Sequence, residues 1–298
     1  MSPQIVESPF VSQGMNCAGR LYLPADLSRK PPVVVMAHGF GTEKEFRLPA
    51  FAERFVRELD CAVFLFDYRN FGGSAGTPRN LVNPWRHVQD LRAALSHIRE
   101  LPEVDGSRIA LWGSSFGGGH VLVAAARDPE VRAVVSQVPF VDGLASLSML
   151  TPLNMLKATG HGLLDGLKGL LGLKPHTVPI VSTPERFGAM NSPESFPGYM
   201  AIVPEGSTWR NAVPARIALI VSFYSPMRAA RKVRCPVLLV AARGDSLVPV
   251  QAVRKTARRI SDCEFEELDC NHFAPYFGEW FEKNIELQTE FLQQHLFS

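Results

Sequence analysis

The sequence predicts an α/β protein with a doubly wound, mostly parallel sheet and an inserted cap. Three observations predict it. Short apolar runs without polar alternation recur, helical segments separate them, and the alternation stops once and later resumes. Strands buried on both faces read as unbroken apolar runs. Strands alternating with helices imply βαβ units wound on both sides of one sheet.

The first thirty residues hold two extended pieces, about Ile5–Val11 and Ala18–Tyr22, around a Gly14-Met15-Asn16 turn. They read as an antiparallel hairpin on the sheet edge. Val33–Ala37 and Ala62–Phe66 follow as buried strands, with a helix predicted over Glu43–Leu59 between them. A second helix is predicted over Pro84–Leu101, with Asn83 as N-cap and Pro84 at its first position. The strand Ile109–Trp112 then leads into an Ala-rich helix, Phe116–Arg127, stopped before Asp128-Pro129. Ala133–Val138, Val237–Ala241 and Glu264–Leu268 complete the strands, and an amphipathic helix ends the chain. From about Phe140 to Arg228 glycine and proline are frequent, and Leu163–Leu173 is apolar with interleaved glycines. The expected organisation is a core of residues 1–139 and 229–298, with residues 140–228 as a cap of short helices and loops. Long insertions of this kind are commonly functional.

The composition excludes several classes. The 298 residues are 46% hydrophobic and 20% charged, a globular balance. A formal charge of +2 gives no strong attraction to nucleic acid or to an anionic membrane. Arg254-Lys255 and Arg258-Arg259 repeat at helical spacing and read as a solvated helix face. The five cysteines are odd in number and lack CxxC spacing, which fits a reducing compartment and no zinc site. No apolar run reaches the roughly 20 residues of a membrane span, and Met1–Gln13 lacks the pattern of a secretory signal. A soluble cytoplasmic protein without metal or organic cofactor is the expectation.

The strongest chemical signal is Gly113-Ser114-Ser115-Phe116-Gly117, between a buried strand and a helix. A strand–GxSxG–helix turn is so tight that only small residues fit two positions either side of the central serine. Such a turn lifts Ser115 out of the strand end, and the following helix aims its N-terminus at the site. Ser114 is the internal competitor and reads as a small packing residue. His38-Gly39-Phe40-Gly41 follows the strand Val33–Ala37, and His38 reads as a brace of that loop. Asp67-Tyr68-Arg69-Asn70-Phe71-Gly72-Gly73-Ser74 follows Ala62–Phe66 and reads as an Asp67–Arg69 brace in a glycine turn. A serine hydroxyl is a weak nucleophile at neutral pH, so it needs a base and a carboxylate to orient that base.

The ordered set HGFG, DYRNFGGS, GSSFGG, GDSLVP and NHF resembles the α/β-hydrolase superfamily over essentially the whole chain. More narrowly, Leu111–His120, Gln137–Gly143 and Trp209-Arg210-Asn211 resemble a branch of bacterial uncharacterised esterase-like hydrolases and fungal polyketide transferases. The resemblance implies the chain order serine, acid, histidine. Of the histidines after Ser115, His272 follows the strand Glu264–Leu268, whereas His161 and His176 lie in the cap and His295 in the terminal helix. Asp245, after Val237–Ala241, is the expected acid. Asp142 is the alternative, and Asp269 lies too near His272 along one loop. The backbone N–H groups of Phe40 and Phe116 are the expected oxyanion donors. The implied chemistry is acyl-ester or thioester cleavage, with transfer of an acyl chain to an alcohol as the alternative and a peptidase or C–C hydrolase behind it. The expected partner is an apolar small-molecule acyl substrate, held by cap residues Leu144, Leu147, Met149, Leu150, Leu153, Met155, Leu156 and Phe187, or else these form the cap's own core. The cap and the terminal helix are candidate surfaces for a homodimer.

Overall fold

The structure, a computed structural model, describes residues 3–297. The chain begins with β1 (Gln4–Glu7), β2 (Phe10–Ser12), β3 (Met15–Cys17) and β4 (Gly19–Leu23). β2 and β3 form a small hairpin, while β1 pairs antiparallel with β4 at the edge of the main sheet. The hairpin turn falls on Gln13-Gly14, both left-handed, so Met15 is already in a strand. The turn lies one residue before the expected one, where Gln13 and Gly14 supply the two left-handed positions of a two-residue hairpin loop.

β5 (Val33–Ala37) and β6 (Ala62–Phe66) flank α1 (Leu48–Leu59). This helix starts five residues later than its pattern suggests. Arg47 takes a left-handed conformation at φ 62°, and Pro49 stands in the first turn. α2 (Pro84–Glu100) is capped by Asn83, whose side chain accepts the Arg86 N–H. β7 (Ile109–Ser114), α3 (Phe116–Ala125) and β8 (Val131–Gln137) follow.

The segment before the next strand of the main sheet carries α4 (Gly143–Leu147), α5 (Pro152–Leu170), the two-residue pair β9 (Thr177–Val178) and β10 (Val213–Pro214), α6 (Ser195–Ile202) and α7 (Ile217–Ile220). This insert contributes no strand to the main sheet. The chain closes with β11 (Val237–Ala242), α8 (Val250–Ala257), β12 (Cys263–Leu268) and α9 (Gly278–Leu296). The eight-stranded sheet runs β1-β4-β6-β5-β7-β8-β11-β12, parallel from β6 to β12. β5, β6, β7 and β11 are buried at every position, as their unbroken apolar runs require. Ligands in such sheets bind outside the carboxyl ends of the strands. Those ends carry Gly39, Ser115, Asp245 and His272.

Candidate active site

The turn after β7 explains its own sequence. Ser115 sits at φ 54° and ψ −118°, a strained conformation for a residue with a side chain. A Cβ at Gly117 would collide with the carbonyls of Ala37 and His38, and one at Gly113 with the Gly117 carbonyl. Glycine is therefore required at both places, and the close approach it permits holds β5, β7 and α3 together beneath Ser115. The Ser115 N–H is bound to Gln137 O at 2.9 Å, which fixes the turn to β8.

Three side chains from separate strand ends meet here. His272 Nε2 lies 3.1 Å from Ser115 Oγ, and His272 Nδ1 lies 2.6 Å from Asp245 Oδ2. With its proton on Nδ1, neutral His272 donates to Asp245 and accepts from the serine hydroxyl. The other carboxylate oxygen of Asp245 accepts the N–H groups of Leu247 and Val248, both at 2.8 Å, so the aspartate is itself aimed. Burial alone would pull the His272 imidazole down. The charge and hydrogen bond of Asp245, with the charge of Glu194 behind them, outweigh burial and raise it above the usual histidine value.

The loop after β5 closes the other side. A Cβ on Gly39 would stand 3.5 Å from Ser115 Cβ, so this loop runs directly past the serine. Among the described residues, neither the Phe40 N–H nor the Phe116 N–H donates to a protein acceptor. The apolar surface next to Ser115 is aromatic. Phe116 packs edge-on against Phe40 and Phe140, with ring centres 5.6 and 5.0 Å apart.

The competing residues are occupied elsewhere. Ser114 is fully buried and accepts hydrogen bonds from Tyr276 Oη at 2.6 Å and Gln137 Nε2 at 3.0 Å. Asp142 caps α4 through Ala145 N and accepts the Ser225 hydroxyl. Asp269 is exposed, beside Arg243. His161 and His176 pair with each other in the insert, and His295 reaches Glu264. His38 braces its loop, with Nδ1 3.1 Å from Gly39 O. Burial pushes it down to about 4, and His120 down to about 3. His120 lies behind the turn, bound to Tyr224 Oη at 2.6 Å and facing His87.

Two readings from the sequence are corrected. Asp67 and Arg69 do not brace each other. Asp67 pairs with Lys44 at 2.9 Å and accepts the Lys44 and Gly73 N–H groups, while Arg69 pairs with Asp90 at 2.6 Å. Both true partners are remote along the chain, so proximity in sequence misled. The leucines and methionines expected to form the insert's core do not form it either; Ile180, Val181, Tyr199 and Val213 are buried there instead. Leu144, Met149, Leu153, Met155 and Leu156 are exposed, whereas Phe187 packs against His161 and the buried cluster.

The sequence reading missed the residues by which the insert grips the site. Glu194, at the start of α6, accepts the His272 N–H at 3.2 Å and the Ser246 N–H at 2.8 Å, and binds the Ser246 hydroxyl. Tyr199 Oη donates to Phe40 O at 3.0 Å, and Trp209 Nε1 donates to Gly41 O at 2.8 Å. One carboxylate and two aromatic donors thus hold both site loops. Of these only Trp209 belonged to a stretch the sequence singled out.

Among the described residues no cluster of three or more His, Cys, Asp or Glu side chains could hold a metal ion, and no helix is long and apolar enough to cross a membrane. The sequence model of the Alpha/beta hydrolase family matches residues 34–283. The chain is an α/β hydrolase. This hydrolase is 39% identical to the quorum-quenching protein AidA of Acinetobacter baumannii over 96% of its own length and 93% of that protein's. It is 29% identical to the thiohydrolase aneE of Aspergillus aculeatus, over 95% and 91%. Fungal polyketide transferases are also among its relatives. The solved structure of DcsB with its substrate analogue superposes with a TM-score of 0.85 at 27% identity, covering all of both chains.

Proposed function

We propose that this α/β hydrolase cleaves acyl esters or thioesters through an acyl-enzyme on Ser115. The observation that carries the reading is the unbroken hydrogen-bond chain from Ser115 to His272 to Asp245. His272 Nε2 takes the hydroxyl proton as Ser115 Oγ attacks the acyl carbonyl. Asp245 holds the imidazole in the required tautomer and stabilises the imidazolium. The N–H groups of Phe40 and Phe116 receive the oxyanion, each worth about 3 kcal/mol in the transition state. His272 then returns the proton to the departing alcohol or thiol. Water attacks the acyl-enzyme with His272 again as base, the acid leaves, and Ser115 is regenerated.

The aromatic surface of Phe40 and Phe140 favours an apolar or aryl acyl group. The thiohydrolase relative supports thioesters, and the name of the Acinetobacter relative adds quorum signals to the substrates worth testing. Transfer to a bound alcohol instead of water is the second reading. It is favoured by the polyketide transferase relatives and by an insert tied to the oxyanion loop, which would limit water at the acyl-enzyme. A fluorophosphonate probe should label the native enzyme and the Ser114→Ala variant but not Ser115→Ala. An unlabelled native enzyme would overturn the reading. Product analysis of a p-nitrophenyl ester series and a matching thioester, with and without added alcohol, separates hydrolysis from transfer.

A further inference from the structure

Helix α5 faces the wrong way for a helix that serves only its own chain. Leu153, Leu156, Gly160, Leu163, Leu167 and Leu170 recur at alternating steps of three and four residues. This is the spacing of a helix–helix seam. Every one of these positions is exposed, from 56% at Leu167 to 87% at Leu170 for the leucines. Leu164 and Leu171 widen the same stripe at 44% and 64%. The opposite face, which a seam helix normally gives to water, is turned into the insert. It carries Gly162 against Leu219, Gly169 against Arg216, and Asp165, buried and bound to Arg216 and the His176 N–H.

We propose that a second copy of this chain covers the seam, with the two α5 helices packed side by side across a two-fold axis near Gly160–Leu163. A seam with a three–four repeat fits a helix with the same repeat, and an identical copy presents it. A two-fold makes one patch complementary to itself. The seam positions from Leu153 to Leu170 hold no charge, so burial leaves no ion unpaired. Gly160 has nothing within 4 Å of where its Cβ would be, which leaves room at mid-seam for a facing leucine. The exposed leucines of the stripe and the adjoining Leu173 amount to about five whole residues of surface. That is on the order of the ~800 Å² one partner gives to a standard interface, and more than a monomer usually leaves in one patch. A lipid surface fits less well. Interfacial helices present a cationic face beside the apolar one, whereas α5 carries two lysines, Lys157 and Lys168, an exposed neutral Thr159, and an Asp165 turned inward.

Sedimentation velocity on the full-length protein, from about 1 to 100 µM, tests this. The native protein should sediment as a dimer. Leu156→Glu with Leu163→Glu should be monomeric with an unchanged far-UV circular dichroism spectrum, its dissociation constant raised at least about 100-fold. If the double variant fails to fold, Leu170→Lys, altered where the side chain is already in water, should raise the constant at least about tenfold. Val11→Glu, an exposed apolar site on the first hairpin, should leave the dimer intact. A native monomer at 100 µM, or a dimer that survives the seam variants, overturns the proposal. So does a native monomer that co-sediments with phosphatidylglycerol vesicles, which would assign the seam to lipid.

Discussion

Helices α2 and α5 are both long, and both carry an apolar stripe, yet they use it in opposite ways. α2 turns Val88, Leu91, Leu95 and Ile98 into the core, each at 2% exposure or less. α5 turns its leucines to solvent and buries Gly162 and Asp165. The difference teaches that helical periodicity specifies an apolar face but not what covers it. In the core α3, the first hairpin and the sheet cover the stripe of α2, so pattern and packing agree. In the insert the contacts are made by an ion pair and close glycine approaches, and the pattern points away from them.

The largest expected effect lies at the core's strand ends. Ser115→Ala should lower kcat/KM by at least about 10,000-fold, with the fold intact, because the proposed nucleophile and base would act as a unit. Ser114→Ala, one residue away, should instead keep most of its activity and lose about 1–3 kcal/mol of stability. It leaves Tyr276 and Gln137 without their buried acceptor. If the two variants behaved alike in turnover assays and urea melts, the distinction between a chemical and a packing serine would fail.

Next in size is an acid sensitivity built into the core. His38, His87 and His120 are buried and held below the usual histidine value, chiefly by burial. The unfolded chain protonates them near pH 6.5, while the folded protein resists. Stability from keeping them neutral is present above the unfolded value and is lost as pH falls from there toward about 4. Each contributes about 1.4 kcal/mol per pH unit inside that window. Urea unfolding at pH 6.5 and at pH 5 should differ by several kcal/mol. Asp90 and Glu43, whose carboxyls burial raises, push the other way, so a net loss on acidification shows that the three histidines outweigh them. A flat profile there would contradict the neutral assignment.

The insert has its own polar keystone. Asp165 accepts hydrogen bonds from the N–H groups of His176 and Arg216 and from the Arg216 guanidinium. Asp165→Asn should cost about 3 kcal/mol, the scale for breaking a buried pair, and should free α5 from the rest of the insert. Hydrogen exchange should report loss of protection in residues 152–178 and 213–220 with β5–β7 unaffected. Uniform loss across both regions would mean that insert and core are one cooperative unit.

How much was legible follows the same divide. β5 and β6 begin and end where their apolar runs do, because burial on both faces leaves no polar position inside a strand. Ser115, Asp245 and His272 were readable because each follows a strand whose end the sheet brings to one edge. Lys44, Asp90, Glu194 and Tyr199 were not readable, since their partners lie 21 to 159 residues away and no local pattern marks them. The run Leu163–Leu173 was visible as apolar with interleaved glycines, but which face it turns inward was set by Arg216 and Leu219, far down the chain.

The smallest expected effect tests the junction of the two regions. Glu194 belongs to the insert but holds the backbone of His272 and Ser246. Its negative charge also favours the imidazolium of His272. The proposed base works only when neutral, so kcat/KM should fall as pH drops through the His272 value, which is raised above that of a free histidine. Glu194→Gln removes the charge while keeping the side chain's length. The imidazolium then loses support, the His272 value falls, and the acid limb moves to lower pH. Its amide keeps one acceptor for two loops, so kcat should drop a few-fold as well. The pH profile of kcat/KM separates the two contributions. A few-fold loss with an unmoved limb would make Glu194 a strut for the His272 loop and nothing more. A moved limb would make the insert part of what sets the strength of the base.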